Sequence, residues 1–183
     1  LIFVPLLAGL FFLGIRLSRS KPPTPPILPI LTSAVSLEQI AAIPVQEDSL
    51  SFLAFDPGNR LLFSAGVSPK ISSWEIPSGK FVKAITTSTL VNVAVALSPD
   101  GQLLAVSSFE TGGYPLRLWS PPEQKMIREL QKSPQPISSI AFNREGTLLA
   151  TGGMDTTIQI WNLQQGTVFC TLAGHSENIT ALA

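Results

Sequence analysis

The chain has 183 residues, and its 12 Lys and Arg are balanced by 12 Asp and Glu, so the formal net charge is zero. That balance excludes a nucleic-acid binder working through a basic face, and 45% hydrophobic residues exclude a disordered chain. A single Cys, Cys170, and a single His, His175, exclude an internal disulfide framework and any cysteine- or histidine-clustered metal centre.

The chain opens inside an apolar run, Leu1 to Ile15, which carries no charge and is followed by Arg16, Arg19 and Lys21. No Met precedes it, so the run is expected to be longer in the parent protein. A bilayer crossing needs about 20 apolar residues. A short apolar helix over residues 1–17 is expected, acting as a single-pass membrane anchor. A signal-peptide core and a buried soluble helix are the rivals, although no small-residue cleavage site follows Ile15. The three basic residues favour a cytoplasmic location for the chain on their C-terminal side. Residues 18–36 form a linker, with Pro22, Pro23, Pro25, Pro26 and Pro29 enforcing extended, semi-rigid chain.

From about Asp48 the sequence repeats. Trp74, Trp119 and Trp161 stand 45 and 42 residues apart, and a turn followed by Leu-Leu recurs at 42 and 45 residues. Each unit predicts four short strands. The first strands are Leu50 to Phe55, Asn92 to Leu97 and Ile137 to Phe142, apolar or small enough to be buried. A tight turn follows, ending at Asn59, Gly101 or Gly146, the residue types that enter left-handed backbone most readily. Second strands start at Leu61, Leu103 and Leu148. Third strands end in the tryptophans, and more polar fourth strands (Phe81 to Thr87, Lys125 to Leu130, Thr167 to Leu172) suit an outer edge. A period in the low forties with four strands per unit marks a propeller blade.

These units resemble WD40 repeats over residues 48 to 183. The third unit is the best match, from Ile140 through Thr151, Asp155 and Trp161 to Asn162, and Gly174-His175 resembles the family's step into a next unit. The resemblance implies an all-β, WD40-type β-propeller: units at about 48–90, 91–132 and 133–174, and the start of a fourth over 175–183, with Ile179 to Ala183 as its first strand. The Trp-Asp pair of the family is absent; Trp74-Glu75, Trp119-Ser120 and Trp161-Asn162 replace it. The family's His–Ser/Thr–Asp–Trp brace is incomplete. Unit three has Thr151, Asp155 and Trp161 with Ser133 at the His position; unit one has Ser64, Ser68 and Trp74; unit two has Val106 and Gly113. Three and a quarter units do not close a ring of 4–8 blades, so the parent protein is expected to continue, to about seven blades. Residues 37–45 are the candidate ring-closing strand.

The repeat position makes the tryptophans packing residues rather than ligand-stacking ones. Asp155 has no paired carboxylate or His for acid–base work, and no phosphate loop or nucleophile elbow occurs. No catalytic residue, cofactor, metal or small-molecule substrate is expected. Unit two, however, has three extra residues in Phe109-Glu110-Thr111-Gly112-Gly113-Tyr114-Pro115, between its second and third strands. The resemblance places this loop on a face where partners commonly dock, and Phe109, Glu110 and Tyr114 are the candidate partner-binding residues. A simple loop-length variation is the plainer alternative. The expected function is a membrane-tethered scaffold that binds proteins or peptides. The alternative is the C-terminal sensor of a larger membrane-bound enzyme, such as a receptor-like serine/threonine kinase.

Overall fold

A computed structural model describes residues 42–43 and 49–183. The expected apolar helix and proline-rich linker lie outside the described residues. Of the candidate ring-closing strand, Ala42 and Ile43 alone are described, and neither lies in a strand. Among the described residues no helix is long and apolar enough to cross a membrane.

The described chain forms three four-stranded antiparallel sheets, each in simple sequence order. Blade 1 comprises β1 (Leu50–Phe55), β2 (Leu61–Gly66), β3 (Lys70–Glu75) and β4 (Phe81–Thr86). Blade 2 comprises β5 (Val91–Leu97), β6 (Leu104–Phe109), β7 (Tyr114–Ser120) and β8 (Lys125–Ser133). Blade 3 comprises β9 (Ile137–Phe142), β10 (Leu148–Gly153), β11 (Ile158–Asn162) and β12 (Thr167–Leu172). The first strands lie side by side, β1 against β5 and β5 against β9.

Hydrogen bonds fix why each hairpin turns where it does. The first turn residue is Asp56, Ser98 or Asn143, and its side-chain oxygen accepts the N–H five residues on, from Leu61 (2.6 Å), Leu103 (2.9 Å) or Leu148 (2.8 Å). The fourth turn residue sits in left-handed backbone: Asn59 at φ 53°, Gly101 at 71° and Gly146 at 69°. A second series closes the turn after each tryptophan strand, with Gly79 at φ 69°, Gln124 at 56° and Gly166 at 72°. There the residue after the tryptophan holds the turn. Glu75 accepts from the Ser78 hydroxyl, Ser120 from the Glu123 N–H and Asn162 from the Gln165 N–H. The missing Trp-Asp aspartate is thus replaced by three other acceptors.

Strand alternation gives blade 2 two apolar faces. Leu104 and Val106, with Val95, Leu97 and Trp119 alongside, meet Phe63, Ala65, Ile71 and Ile85 of blade 1. Ala94, Ala96, Ala105, Leu116 and Leu118 meet Ile137, Ile140, Leu149 and Trp161 of blade 3. Trp119 and Trp161 therefore pack between blades. Trp74 belongs to neither cluster; it meets Phe81 edge-on, with ring centroids 5.3 Å apart.

Two expectations are corrected. β1 is not buried: Leu53 is 57% and Phe55 56% exposed. Their face of blade 1 points away from blade 2, and nothing among the described residues covers it. Ile179 to Ala183 is not a strand. This segment still follows blade 3, with Ile179 N–H donating to Gly153 O (3.0 Å) and Leu182 N–H to Ser139 Oγ (2.8 Å). It lacks the continuous ladder that a strand needs, and Ile179 instead buries its side chain against Gly152.

Candidate functional site

The Trp braces follow one register rule. Each tryptophan pairs across the ladder with a leucine (Trp74 with Leu62, Trp119 with Leu104, Trp161 with Leu149). The residue two beyond that leucine decides the fate of the indole N–H. Ser64 accepts it in blade 1 (2.8 Å) and Thr151 in blade 3 (3.0 Å). Blade 2 has Val106 there, and the Trp119 Nε1 is buried without a partner. The other brace positions do local work. Asp155 accepts from the Thr157 N–H (3.2 Å) and hydroxyl (3.0 Å), Ser68 accepts the Lys70 N–H (3.1 Å), and Ser133 accepts the Gln135 N–H (3.1 Å). None of the three touches a tryptophan hydrogen bond. His175 is exposed.

The loop singled out in unit two proves to be a tight hairpin rather than an open loop. Glu110 and Gly113 exchange backbone hydrogen bonds at 3.1 Å in both directions, extending the β6–β7 pair. Gly113 is required there: its φ is 137°, and a Cβ would lie 2.7 Å from Ser133 O. The three candidate residues divide their tasks. Glu110 turns inward and is buried, pairing bidentately with Arg117 (Oε1 to Nη1 2.6 Å, Oε2 to Nη2 3.0 Å) and accepting the Thr89 N–H at 3.3 Å. It is a structural clamp and not an exposed recognition group. Phe109 is exposed, and the half-buried Tyr114 supports it with ring centroids 5.4 Å apart. The Arg117 hydrogen bonds hold the Glu110 carboxyl below the usual carboxylate range, against the opposing effect of burial. The same contacts raise Arg117.

Sequence reading missed Arg117 and Glu129. Arg117 Nε donates to Glu129 at 2.9 Å, so one guanidinium on β7 joins the β6–β7 turn to β8. The signal was available in retrospect: Arg117 and Glu129 are charged residues inside two adjacent predicted strands. Thr87 and Asn92 were missed as well. They clamp the linker between blades to the β2–β3 turn through Thr87 N–H to Pro69 O (2.8 Å), Asn92 N–H to Ser68 O (3.1 Å) and their own mutual bond (2.9 Å). Among the described residues no group of three His, Cys, Asp or Glu could hold a metal ion.

Comparison with known proteins agrees with this geometry. The family model for the WD domain, G-beta repeat, matches residues 124–162. That span covers β8 to β11, so one sequence repeat supplies the outer strand of blade 2 and three strands of blade 3. Pre-mRNA-processing factor 19 of Bos taurus is 27% identical over 154 residues, covering 81% of this chain and 29% of that protein. A WD repeat-containing protein 91 homolog of Dictyostelium discoideum is 29% identical over 134 residues, covering 71% of this chain and 18% of that protein. The chain thus spans less than a third of the length of these relatives. Among solved structures, U3-55K superposes with a TM-score of 0.66 at 22% identity, over 75% of this chain and 43% of that one. The RRP9 WD40 repeats give 0.65 at 22% identity, over 75% and 42%. The fold is that of WD40 propeller blades.

Proposed function

We propose that these blades are a rigid platform on which other proteins or peptides assemble. The carrying observation is the β6–β7 hairpin. An exposed aromatic, Phe109, is set beside a turn that a partly buried ion pair, a glycine bridge and a clamped linker all hold in place. Anchors on ordered segments lose little entropy on binding, which is how a scaffold gains affinity. Support also comes from the WD40 family match and the propeller relatives.

The run Leu1 to Ile15, flanked by Arg16, Arg19 and Lys21, supports a membrane tether that displays the platform at a bilayer surface, on the cytoplasmic side. The regulatory end of a larger membrane-bound enzyme is the alternative that rests on the same run. Chemical cross-linking of the full protein in its native membrane or extract, followed by mapping of the linked residues, tests the platform reading. Protein adducts are expected near the β2–β3, β6–β7 and β10–β11 turns. Absence of any protein adduct would sink it. Fractionation with and without residues 1–17 tests the tether, which predicts loss of membrane association on deletion.

A further inference from the structure

The fourth strands share an irregularity. Trp74 pairs with Phe81 but Ser73 with Lys83, so Val82 is an extra residue in β4, and Ile127 and Phe169 are the extra residues at the same place in β8 and β12. Each bulge carries an exposed apolar pair: Phe81 and Val82, Met126 and Ile127, Val168 and Phe169. Blade 2 shows that this exposure does not come from a missing neighbour. Both of its faces are covered, yet Met126 is 46% and Ile127 49% exposed. Apolar side chains kept in water at one repeat position mark an interaction surface. A bulge bends and twists an edge strand, which hinders the addition of a further strand by pairing.

Cations flank two of the three pairs. Lys80 and Lys83 enclose the pair of β4, and Lys125 and Arg128 that of β8, whereas β12 has Thr167 and Cys170 in these places. Lys83 Nζ donates to Pro121 O (2.9 Å), one residue beyond Ser120, the ladder partner of Lys125. That bond brings β4 to the start of β8, so the two strands make one stretch of outer rim. Glu123 pairs with Lys125, Glu129 with Arg117, and Glu75 accepts the Ser78 hydroxyl. Lys80, Lys83 and Arg128 have no carboxylate partner among the described residues. The surplus charge is small and positive, so the apolar pairs select the occupant and the cations orient it.

We propose that the β4–β8 stretch of rim lies on the surface of a phospholipid bilayer. Phe81, Val82, Met126 and Ile127 enter the boundary between headgroups and acyl chains, and Lys80, Lys83 and Arg128 reach lipid phosphates along their own apolar stems. A bilayer accepts protruding apolar side chains without the shaped pocket that a protein hot spot needs. Under the tether reading, the run Leu1 to Ile15 keeps a bilayer within reach of the same chain. The proposal deepens that reading and rests on it.

The test uses the full chain carrying Cys170→Ser and a fluorophore on a new cysteine at Val82, at Ile127 or, as a control in the β9–β10 turn, at exposed Arg144. Each is mixed with phosphatidylcholine vesicles containing about 30% phosphatidylserine and lipid bearing a nitroxide on its acyl chain. Nitroxide should quench the Val82 and Ile127 labels by at least about half and leave the Arg144 label unchanged. Lys80→Glu combined with Arg128→Glu should cut that quenching at least about twofold while flotation with the vesicles persists. Flotation without quenching at Val82 or Ile127 overturns the proposal and leaves the tether standing. Absence of flotation overturns both. Equal quenching at Arg144, or quenching indifferent to the charge reversal, also overturns it. So does label emission that changes with protein concentration in the absence of vesicles, which would assign the apolar pairs to a second copy of the chain.

Discussion

Val106 is one side chain whose identity decides a hydrogen bond. It occupies the register position that Ser64 and Thr151 fill in the flanking blades, and the Trp119 indole N–H goes unpaired as a result. A neutral hydrogen bond is worth about 1 kcal/mol net, and a buried unsatisfied donor costs about 1–3. Val106→Thr is expected to raise the unfolding free energy by roughly 0.5–1.5 kcal/mol, read as a higher urea midpoint at unchanged m. Thr151→Val should lower it by about 1–3 kcal/mol. A stabilised Thr151→Val, or a Val106→Thr that destabilises, would refute the brace. Glu110 gives a second residue-scale expectation, with a definite sign. Its folded pKa is depressed by Arg117. Its contribution is therefore complete above the ordinary glutamate value of about 4.3 and is lost as pH falls through the depressed one. The stability gap between wild type and Glu110→Gln should be about 1–3 kcal/mol at pH 7 and should shrink towards pH 3. A gap that grows on acidification would mean that the carboxylate is not the stabilising form.

Among the elements, the turns carried most of the legible information. Asn59, Gly101 and Gly146 were readable because only left-handed backbone explains Asn and Gly alternating at one repeat position. The same signal in the second turn series was hidden, because Gln124 interrupts the Gly79 and Gly166 pattern. A non-glycine residue there carries a backbone cost of roughly 1–2 kcal/mol, partly offset by the entropy a glycine would add to the unfolded chain. Gln124→Gly is thus expected to stabilise by about 0.5–1 kcal/mol in the same urea titration, and a loss of stability would contradict the turn geometry. The hairpin after β6 shows a different limit. Its three extra residues were legible as an insertion, but composition could not say that Glu110 would turn inward. That depended on Arg117, seven residues away, lying across the same ladder. The first strands show a third limit. β1, β5 and β9 look alike as sequence, yet β1 is exposed because burial belongs to the neighbouring blade and not to the strand.

At the scale of the molecule, blade 2 is the only one of the three described blades with both faces covered, and its two clusters tie the array together. The outer face of blade 1, with Leu53 and Phe55 exposed, is apolar surface that water disfavours. The 183-residue chain on its own is expected to self-associate as its concentration rises, and Leu53→Glu with Phe55→Glu should reduce this in sedimentation velocity. Association unchanged by that pair would place the sticky surface elsewhere. The interblade packing of Trp119 and Trp161 was foreseeable from the tryptophan spacing, whereas the β6–β7 end was only half visible. Phe109 and Tyr114 announced themselves by type and insertion, but the clamp that Thr87 and Asn92 form on the β2–β3 turn did not.

Hydrogen–deuterium exchange on the full chain, with and without a partner protein recovered by the cross-linking, bears most directly on recognition of partners at the β6–β7 end of the blades. Slowed exchange is expected in Val67 to Lys70, Thr87 to Val91 and Phe109 to Tyr114, with the Asp56, Ser98 and Asn143 turns at the opposite end unchanged. Protection confined to those opposite turns, or spread evenly over all three blades, would contradict recognition there.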